Sequence, residues 1–479
     1  MAVIDEDVHP RSAEVSLVAD EITRYGYRKP DEVFAISRPD VESFQLAAMR
    51  RRFEELAPRI PAVRDQAHRH RINRIGSLDD LVPLLFSHTV AKSYPMALLE
   101  KGRFDLLTRW LDRLTPIDLS SIDANQCDGI DAWLTLLEAR TPLKIFHTSG
   151  TSGKLSFIPR TRLEYELWSE VRLTGIRFPF GAAEESDAGL RLPVICPTAR
   201  FGRYAAQRMV AYLAEHFAPA PNQVFTLNQG HLSADLISLS GRVRVAQAKG
   251  EVSRLKLSEA QRQAFRQHLA ELERRPAESA TFFKRIVAEL RGKRVLIISA
   301  SSVLFQAAQE GLALGIRGAF SPDSAGFTGG GGKGVSLPTN WRELLGEFSG
   351  IAPLRWQSNY GMTEITAPMP ACSLGRYHIP AYIVPFVLDP LGTSALPRRG
   401  AQTGRFAAFD LLAQNLWGGV ISGDRVTIEW DDTCPCGRLG VYLQPEIERY
   451  SENVSGDDKV TCASTVDNTD AALQTLLGT

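Results

Sequence analysis

His147-Thr-Ser-Gly150-Thr-Ser-Gly153-Lys154 is the stretch on which the reading of this chain turns. It is a hydroxyl- and glycine-rich loop entered from the apolar run Leu143-Lys-Ile-Phe146. Glycines let backbone N–H groups crowd an anion. The hydroxyls of Thr148, Ser149, Thr151 and Ser152 can donate to it, and Lys154 adds charge, so Thr148 to Lys154, with Gly150 and Gly153, reads as a phosphate cradle. It is not a Walker A loop, because Leu155 follows the lysine and the glycines are three apart. Taken alone, the same composition also suits a plain surface turn, so its meaning depends on what else the chain carries.

Two further motifs supply that meaning. Ser358-Asn359-Tyr360-Gly361-Met362-Thr363-Glu364 offers an aromatic face to stack on a purine and a glycine for close approach. It also offers a hydroxyl for a phosphate and a carboxylate for Mg²⁺. Ile421-Ser-Gly423-Asp424 places a carboxylate after a tight turn, where it can accept both hydroxyls of a ribose. Just ahead of the second motif runs Gly326-Phe-Thr-Gly-Gly-Gly-Gly-Lys-Gly334. Consecutive glycines are entropically costly and mark a chain that must approach a ligand closely. Lys333 within it reads either as a phosphate contact or as a solvated loop residue.

Around these motifs the chain alternates helix and strand. Apolar spacing predicts a helix from Val41 to Leu56, closed by Pro58, and packed helices across the apolar segment from Leu81 to Leu114. Leu192–Cys196 and Arg294–Ile298 read as short buried strands running into Ser-, Pro- or Thr-rich loops, as where strand ends carry a site. Ser258-Glu-Ala-Gln261 has capping-box form and predicts a helix ending at Pro276. Beyond Asp410 short strands and turns are expected, with a weak helix from Ala471 to Leu477. No internal repeat is visible.

Cys372, His378, Cys434 and Cys436 form a fourth constellation. Cys-x5-His and Cys-x-Cys give two pairs of ligands suited to a closed tetrahedral zinc site, which would be structural because no position stays open for substrate. The same residues also read as two ordinary buried side chains and a turn.

The motifs TSGTSGK, YGMTE and SGD, in this order and with GGGGKG before the second, resemble the adenylate-forming superfamily of acyl-CoA synthetases, luciferases and peptide-synthetase adenylation domains. Cys434-Pro-Cys436-Gly-Arg438 after the SGD element is similar to the phenylacetate-CoA ligase and bacterial-luciferase acyl-protein synthetase branch, which includes arylcarboxylate-activating enzymes of phenazine-type pathways. The resemblance spans roughly residues 40 to 460 and is sharp only at the motifs. It implies an α/β fold, in part α+β: a large adenylating domain of layered sheets and helices with a truncated C-terminal domain. The corresponding division is an N-terminal segment, 1–40, partly flexible; an adenylating domain, 41–450, with a strand-rich subdomain at about 370–450; and a lid remnant, 451–479.

By the same resemblance the 147–154 loop would hold the β- and γ-phosphates. Gly329, Gly330 and Gly331 would line the acyl and adenine slots, Asn359, Tyr360 and Gly361 would flank adenine, and Asp424 would bind ribose. Thr363, Glu364 and Lys154 would serve catalysis, with Glu364 on Mg²⁺. The implied cofactors are ATP, Mg²⁺ and a structural Zn²⁺, with coenzyme A as a further candidate. The implied reaction joins a carboxylic acid, aryl or otherwise bulky, to AMP and releases pyrophosphate. The acyl group would then pass to a thiol acceptor, an acyl-accepting partner protein or a reductase. A self-sufficient acyl-CoA ligase and a catalytically dead nucleotide-binding protein are the alternatives. The family's late lysine has no counterpart, since no lysine follows Lys459. For the acid, the residues Phe201, Arg203, Tyr204, Ser301, Ser302, Phe305, Phe327 and Trp356 are expected to form the pocket, with Arg203 pairing to a second anionic group.

Bulk properties agree with a small-molecule enzyme. In 479 residues, 55 Lys and Arg balance 55 Asp and Glu, so no basic excess favours nucleic acid or anionic membrane. No apolar run approaches the ~18 to 20 residues of a spanning helix, and the start lacks a signal peptide's apolar segment. Six cysteines are too few for a disulfide scaffold, and a cytoplasmic, reducing location is expected.

Overall fold

The computed structural model describes residues 34–148, 153–177, 190–252, 255, 257–329, 337–413, 415–431 and 433–450. Ser149 to Ser152, Gly330 to Ser336 and everything after Tyr450 lie outside the described residues, and with them Gly150, Thr151, Gly331, Lys333 and the expected helix at 471–477.

The chain opens with α1 (Arg38–Leu56) and α2 (Pro61–His70). Ser37 caps α1 by accepting from the Asp40 N–H, and the helix starts three residues before the apolar spacing alone placed it. A short strand, β1 (Phe86–Ser87), precedes α3 (Met96–Glu100), α4 (Phe104–Asp112) and α5 (Ile130–Arg140). The hairpin β2 (Leu143–His147) and β3 (Phe157–Thr161) frames the first motif, and α6 (Arg162–Arg177) leaves it.

An α/β layer follows. Its strands are β4 (Val194–Gly202), β5 (Val224–Leu232), β6 (Leu296–Ser299), β7 (Ala325–Gly329), β8 (Trp356–Tyr360) and β9 (Met369–Pro370). Between them lie α7 (Ala205–His216), α8 (Ala234–Lys249), α9 (Glu259–Leu290), α10 (Ser301–Ala313) and α11 (Trp341–Ser349). The sheet order is β5-β4-β6-β7-β8-β9, parallel throughout except at β9. From β4 the chain winds outward to β5, then returns to β6 on the other side and proceeds through β7 to β8. The topological switch point therefore falls between β4 and β6, where α/β sheets bind ligands at their strands' carboxyl ends.

The α9 helix corrects one expectation. It runs through Pro276 to Leu290 instead of stopping there. Phe282, Phe283, Ile286 and Leu290 bury themselves against Ile195, Phe225 and Ile297 of the sheet, and that burial outweighs the ~3 kcal/mol cost of an internal proline.

The last layer is antiparallel: β10 (Tyr377–His378), β11 (Ile383–Leu388), β12 (Ala401–Asp410), β13 (Gly419–Glu429), β14 (Tyr442–Leu443) and β15 (Glu448–Arg449). The order is β10-β14-β13-β12-β11, and both β1 and β15 pair with β13. Met49, Phe53, Leu56 and Leu81 share one apolar core with Phe386, Phe406 and Phe409, so the first described helices cover the sheet formed near the chain's end. No described helix is long and apolar enough to cross a membrane.

Candidate active site

A cavity of ≈ 260 Å³ opens over the switch point. Its wall is built from strand ends: Cys196 and Thr198 of β4, Ile298 and Ser299 of β6, Phe327 and Gly329 of β7, and Asn359 and Tyr360 of β8. At roughly 30 Å³ per water, it has room for about nine waters, a space suited to an aryl acid and larger than acetate needs. The segment Gly361-Met362-Thr363 continues the wall, so most of the second motif faces this space.

The third motif meets the second through a distortion of the sheet. Arg405 pairs with Arg425 but Ala407 pairs with Ile421, so one residue of β12 opposes three of β13, namely Ser422, Gly423 and Asp424. Such a bulge re-aims side chains next to functional sites. Asp424 then accepts a hydrogen bond from the Tyr360 hydroxyl at 2.9 Å and pairs with Arg449 Nε at 3.2 Å. Burial, and then the Asp424 charge, hold the Tyr360 phenol well above its usual range, so it stays a donor.

The first motif is described at its two ends. Thr148 donates its N–H to Ser156 O, and its hydroxyl accepts the Ser156 N–H. Gly153 has φ +78°, and a Cβ there would lie 2.5 Å from Ser238 O and 2.6 Å from Arg242, so the loop end presses on α8 too closely for any other residue. Its carbonyl accepts from the Ser238 hydroxyl. Lys154 is half-buried with its ammonium 5.1 Å from the Tyr94 ring centre, and makes no ion pair among the described residues. Burial, with Lys92 adding to it, pushes its pKa down.

Glu364 departs from its neighbours. It lines a smaller cavity of ≈ 70 Å³ with Phe157, Pro159 and Trp417, and not the large one. Its carboxylate makes no hydrogen bond or ion pair among the described residues, which leaves it available to a cation. Beneath it Arg160, wholly buried, donates to Thr363 O at 2.9 Å and to the Thr366 hydroxyl at 2.8 Å, fixing the loop that carries Thr363 and Glu364. Sequence reasoning missed Arg160, because nothing local marks an arginine 203 residues from the carbonyl it holds.

Of the residues expected at the acid, Tyr204 and Phe327 line the cavity. The others do not. Phe201 is exposed, Trp356 packs over Gly326, and Arg203 is held by Glu138 at 3.4 Å and Asp131 at 3.7 Å. The cavity instead takes Trp168 and Arg172 from α6, and Gln207, Met209 and Val210 from α7. Gln207 Oε1 and both amide atoms of Asn359 are buried with no hydrogen-bond partner, a costly state that a bound ligand would relieve.

The four sulfur and imidazole groups also converge. Ligand atoms of Cys372, His378, Cys434 and Cys436 all lie within 4.8 Å of one another, with Cys372 Sγ 4.0 Å from Cys434 Sγ and Cys436 Sγ 3.3 Å from His378 Nε2. Ligands on ~2.3 Å bonds around a tetrahedral zinc stand about 3.8 Å apart, so the donor set fits. Burial, then Arg438 and Arg376, push the His378 pKa down to about 4, keeping the imidazole neutral as a ligand must be. Turns build the site: Gly375 N–H donates to Cys372 O and Gly437 N–H to Cys434 O.

No protein-family model matches the chain, and no curated protein matches it. Solved structures do. A 2-hydroxyisobutyryl-CoA ligase in an open conformation, in complex with 2-HIB-AMP and CoA, shares 14% identity at a TM-score of 0.50, over 87% of this chain and 71% of the ligase. The same ligase in the postadenylation state with R3-HIB-AMP matches at 14% identity and TM-score 0.50, over 94% and 77%. The α/β architecture of this chain is thus the fold of an acyl-CoA ligase that has been captured with an acyl-AMP.

Proposed function

We propose that the chain activates a bulky carboxylic acid with ATP, as a member of the adenylate-forming superfamily. The observation that carries this reading is the meeting of Gly329, Tyr360 and Thr363 at a cavity over the switch point, with Asp424 drawn to it by Tyr360. The fold likeness to a ligase holding an acyl-AMP supports it.

In this reading Asp424 receives the ribose, and Thr148, the following loop and Lys154 receive the phosphates. The carboxylate oxygen of the acid attacks the α-phosphorus in line, the bond to pyrophosphate breaks, and acyl-AMP remains. Ionised acid needs no base, so the protein's work is positioning and dispersing charge. Mg²⁺, held by Glu364, would neutralise the triphosphate. The Cys372, His378, Cys434 and Cys436 site would hold a structural Zn²⁺ that pins two loops beside β13 and β14, with no part in the reaction. A thiol then displaces AMP from the acyl-adenylate, yielding a thioester and a proton.

The test is ATP–pyrophosphate exchange with a panel of aryl and alkyl acids. Acid-dependent exchange is expected; none with any acid, in the presence of Mg²⁺, would refute adenylation. The acceptor divides two readings, transfer to a protein thiol or to coenzyme A, and the CoA complex of the ligase that shares the fold favours the second. CoA-dependent AMP release by the purified chain alone decides between them.

A further inference from the structure

We infer that the acid this chain accepts carries a second carboxylate, received by Arg172 inside the large cavity. This rests on reading that cavity as the acid's site. Arg172 lines it beside Trp168, whose ring centre lies 4.0 Å from the guanidinium carbon. Its Nη1 donates to the carbonyls of Thr366 and Trp168, while Nε and Nη2 bond to no described residue. Nε and Nη2 form the side of a guanidinium that grips a carboxylate with two parallel hydrogen bonds.

Arg172 also belongs to a cluster of mixed charge. Arg52, Arg160 and Arg172 are three cations in one electrostatic group with Asp410. Asp410 and Glu164 are wholly buried carboxylates of this group, and Asp410 also accepts the Thr366 and Leu412 N–H groups. Glu364 faces Arg160 from the smaller cavity, where the proposed role gives its charge to Mg²⁺. Glu55 beside Arg52 and Glu364 beside Arg160 add further negative charge to the group, and Arg172 is the member of the three cations that lines the large cavity. Among the described residues it has no carboxylate within ion-pair distance. Arg172 is half-buried at the cavity wall, and an arginine keeps its proton there, so its free edge presents a fixed positive charge to a ligand.

Asn359 completes the receptor. Gly175 follows Arg172 by three residues on α6, hence on the same face, and a Cβ on Gly175 would lie 3.8 Å from Asn359 Oδ1. The unpartnered Asn359 amide therefore stands near α6 in the same cavity as Arg172, with an N–H₂ to donate to a ligand there. Met209, Val210, Ile298 and Phe327 add an apolar stretch of wall that suits a ring system between the two carboxylates. The sequence assigned this task to Arg203, whose charge Glu138 and Asp131 already occupy.

The experiment measures binding and activation together. Benzoate and naphthoates are compared with the benzene and naphthalene dicarboxylates of matched ring, by calorimetry without nucleotide and by ATP–pyrophosphate exchange, on the wild type, Arg172→Gln and Arg172→Lys. At least one dicarboxylate is expected to bind the wild type about tenfold or more tighter than its mono-acid, weakening as salt rises. Arg172→Gln should cut that preference by a similar factor and Arg172→Lys should restore part of it. Should Arg172→Gln fail to fold, the wild-type preference and Arg172→Lys still decide. Mono-acids bound as tightly as every dicarboxylate would overturn the inference, as would an equal loss for both classes in the Arg172 variants, which would assign Arg172 to the reacting carboxylate. Dicarboxylate binding without exchange would sink the adenylation reading and leave this one standing.

Discussion

Tyr360 donates its hydroxyl to a carboxylate oxygen of Asp424 at 2.9 Å, joining two motifs 64 residues apart. Tyr360 ends a strand of the parallel sheet and Asp424 sits in the bulge of the antiparallel one, so this bond ties the two layers beside the cavity that Tyr360 lines. Tyr360→Phe leaves the carboxylate with Arg449 as its side-chain partner among the described residues. A hydrogen bond to a charged group contributes about 1.5–3 kcal/mol, so the expected result is a KM for ATP raised about tenfold or more in the exchange assay. Asp424→Ala, which removes the ribose acceptor as well, should exceed it. An unaltered KM for ATP in Asp424→Ala would remove Asp424 from the nucleotide site.

Glu364 makes no hydrogen bond or ion pair among the described residues, and its carboxylate stands in a cavity next to Thr363. Glu364→Gln keeps the shape and removes the charge that would attract Mg²⁺. Exchange activity should fall at least about a hundredfold at low Mg²⁺ and recover in part as Mg²⁺ is raised, while the melting temperature changes little. A Mg²⁺ titration that superimposes on the wild type would show that another group holds the metal.

What the sequence revealed and what it hid divide along the length scale of the contacts. The tight approach at Gly153 and the meeting of the motifs at Tyr360 and Asp424 were foreshadowed because each residue lies in a short local motif. The convergence of Cys372, His378, Cys434 and Cys436 was legible for the same reason, as two local pairs. Arg160 and Arg172 were not, since each acts on Thr366, about 200 residues away, and no local pattern distinguishes them from the solvated arginines of α6 such as Arg162. Arg203 was misread in the opposite sense: its position after a strand end suited a pocket residue, but α5 supplies Glu138 and Asp131 and closes it off. Pro276 misled because a local breaker was weighed without the aromatic burial that begins at Phe282.

The donor cluster makes the metal content checkable. Protein purified without added zinc should carry about one zinc per chain, and strong chelation should lower its melting temperature. Cys434 is buried, so Cys434→Ser should cost several kcal/mol of stability through loss of the ion, with a smaller and indirect effect on exchange in the folded fraction. Stoichiometric absence of metal, with Cys434→Ser as stable as the wild type, would reduce the cluster to a packed turn.

Asp235 sets a pH dependence of stability that runs opposite to the usual carboxylate. Burial raises its pKa to about 6, with Asp131 and Asp128 adding to the rise and the N–H groups of Ile130 and Asp131 opposing it. The folded state therefore holds a proton that the unfolded chain, with a pKa near 3.8, has already released. Between about pH 4 and pH 6 the native state binds more protons than the unfolded one, so this group's contribution falls as pH rises through that window. Two pKa units correspond to roughly 2–3 kcal/mol at most. Asp235→Asn keeps one acceptor for the start of α5 and removes the charge, so its stability relative to wild type should improve between pH 4.5 and pH 7 by an amount of that order. Urea unfolding of both proteins at the two pH values measures it, and a difference between them that does not change with pH would place the Asp235 carboxyl at its ordinary pKa.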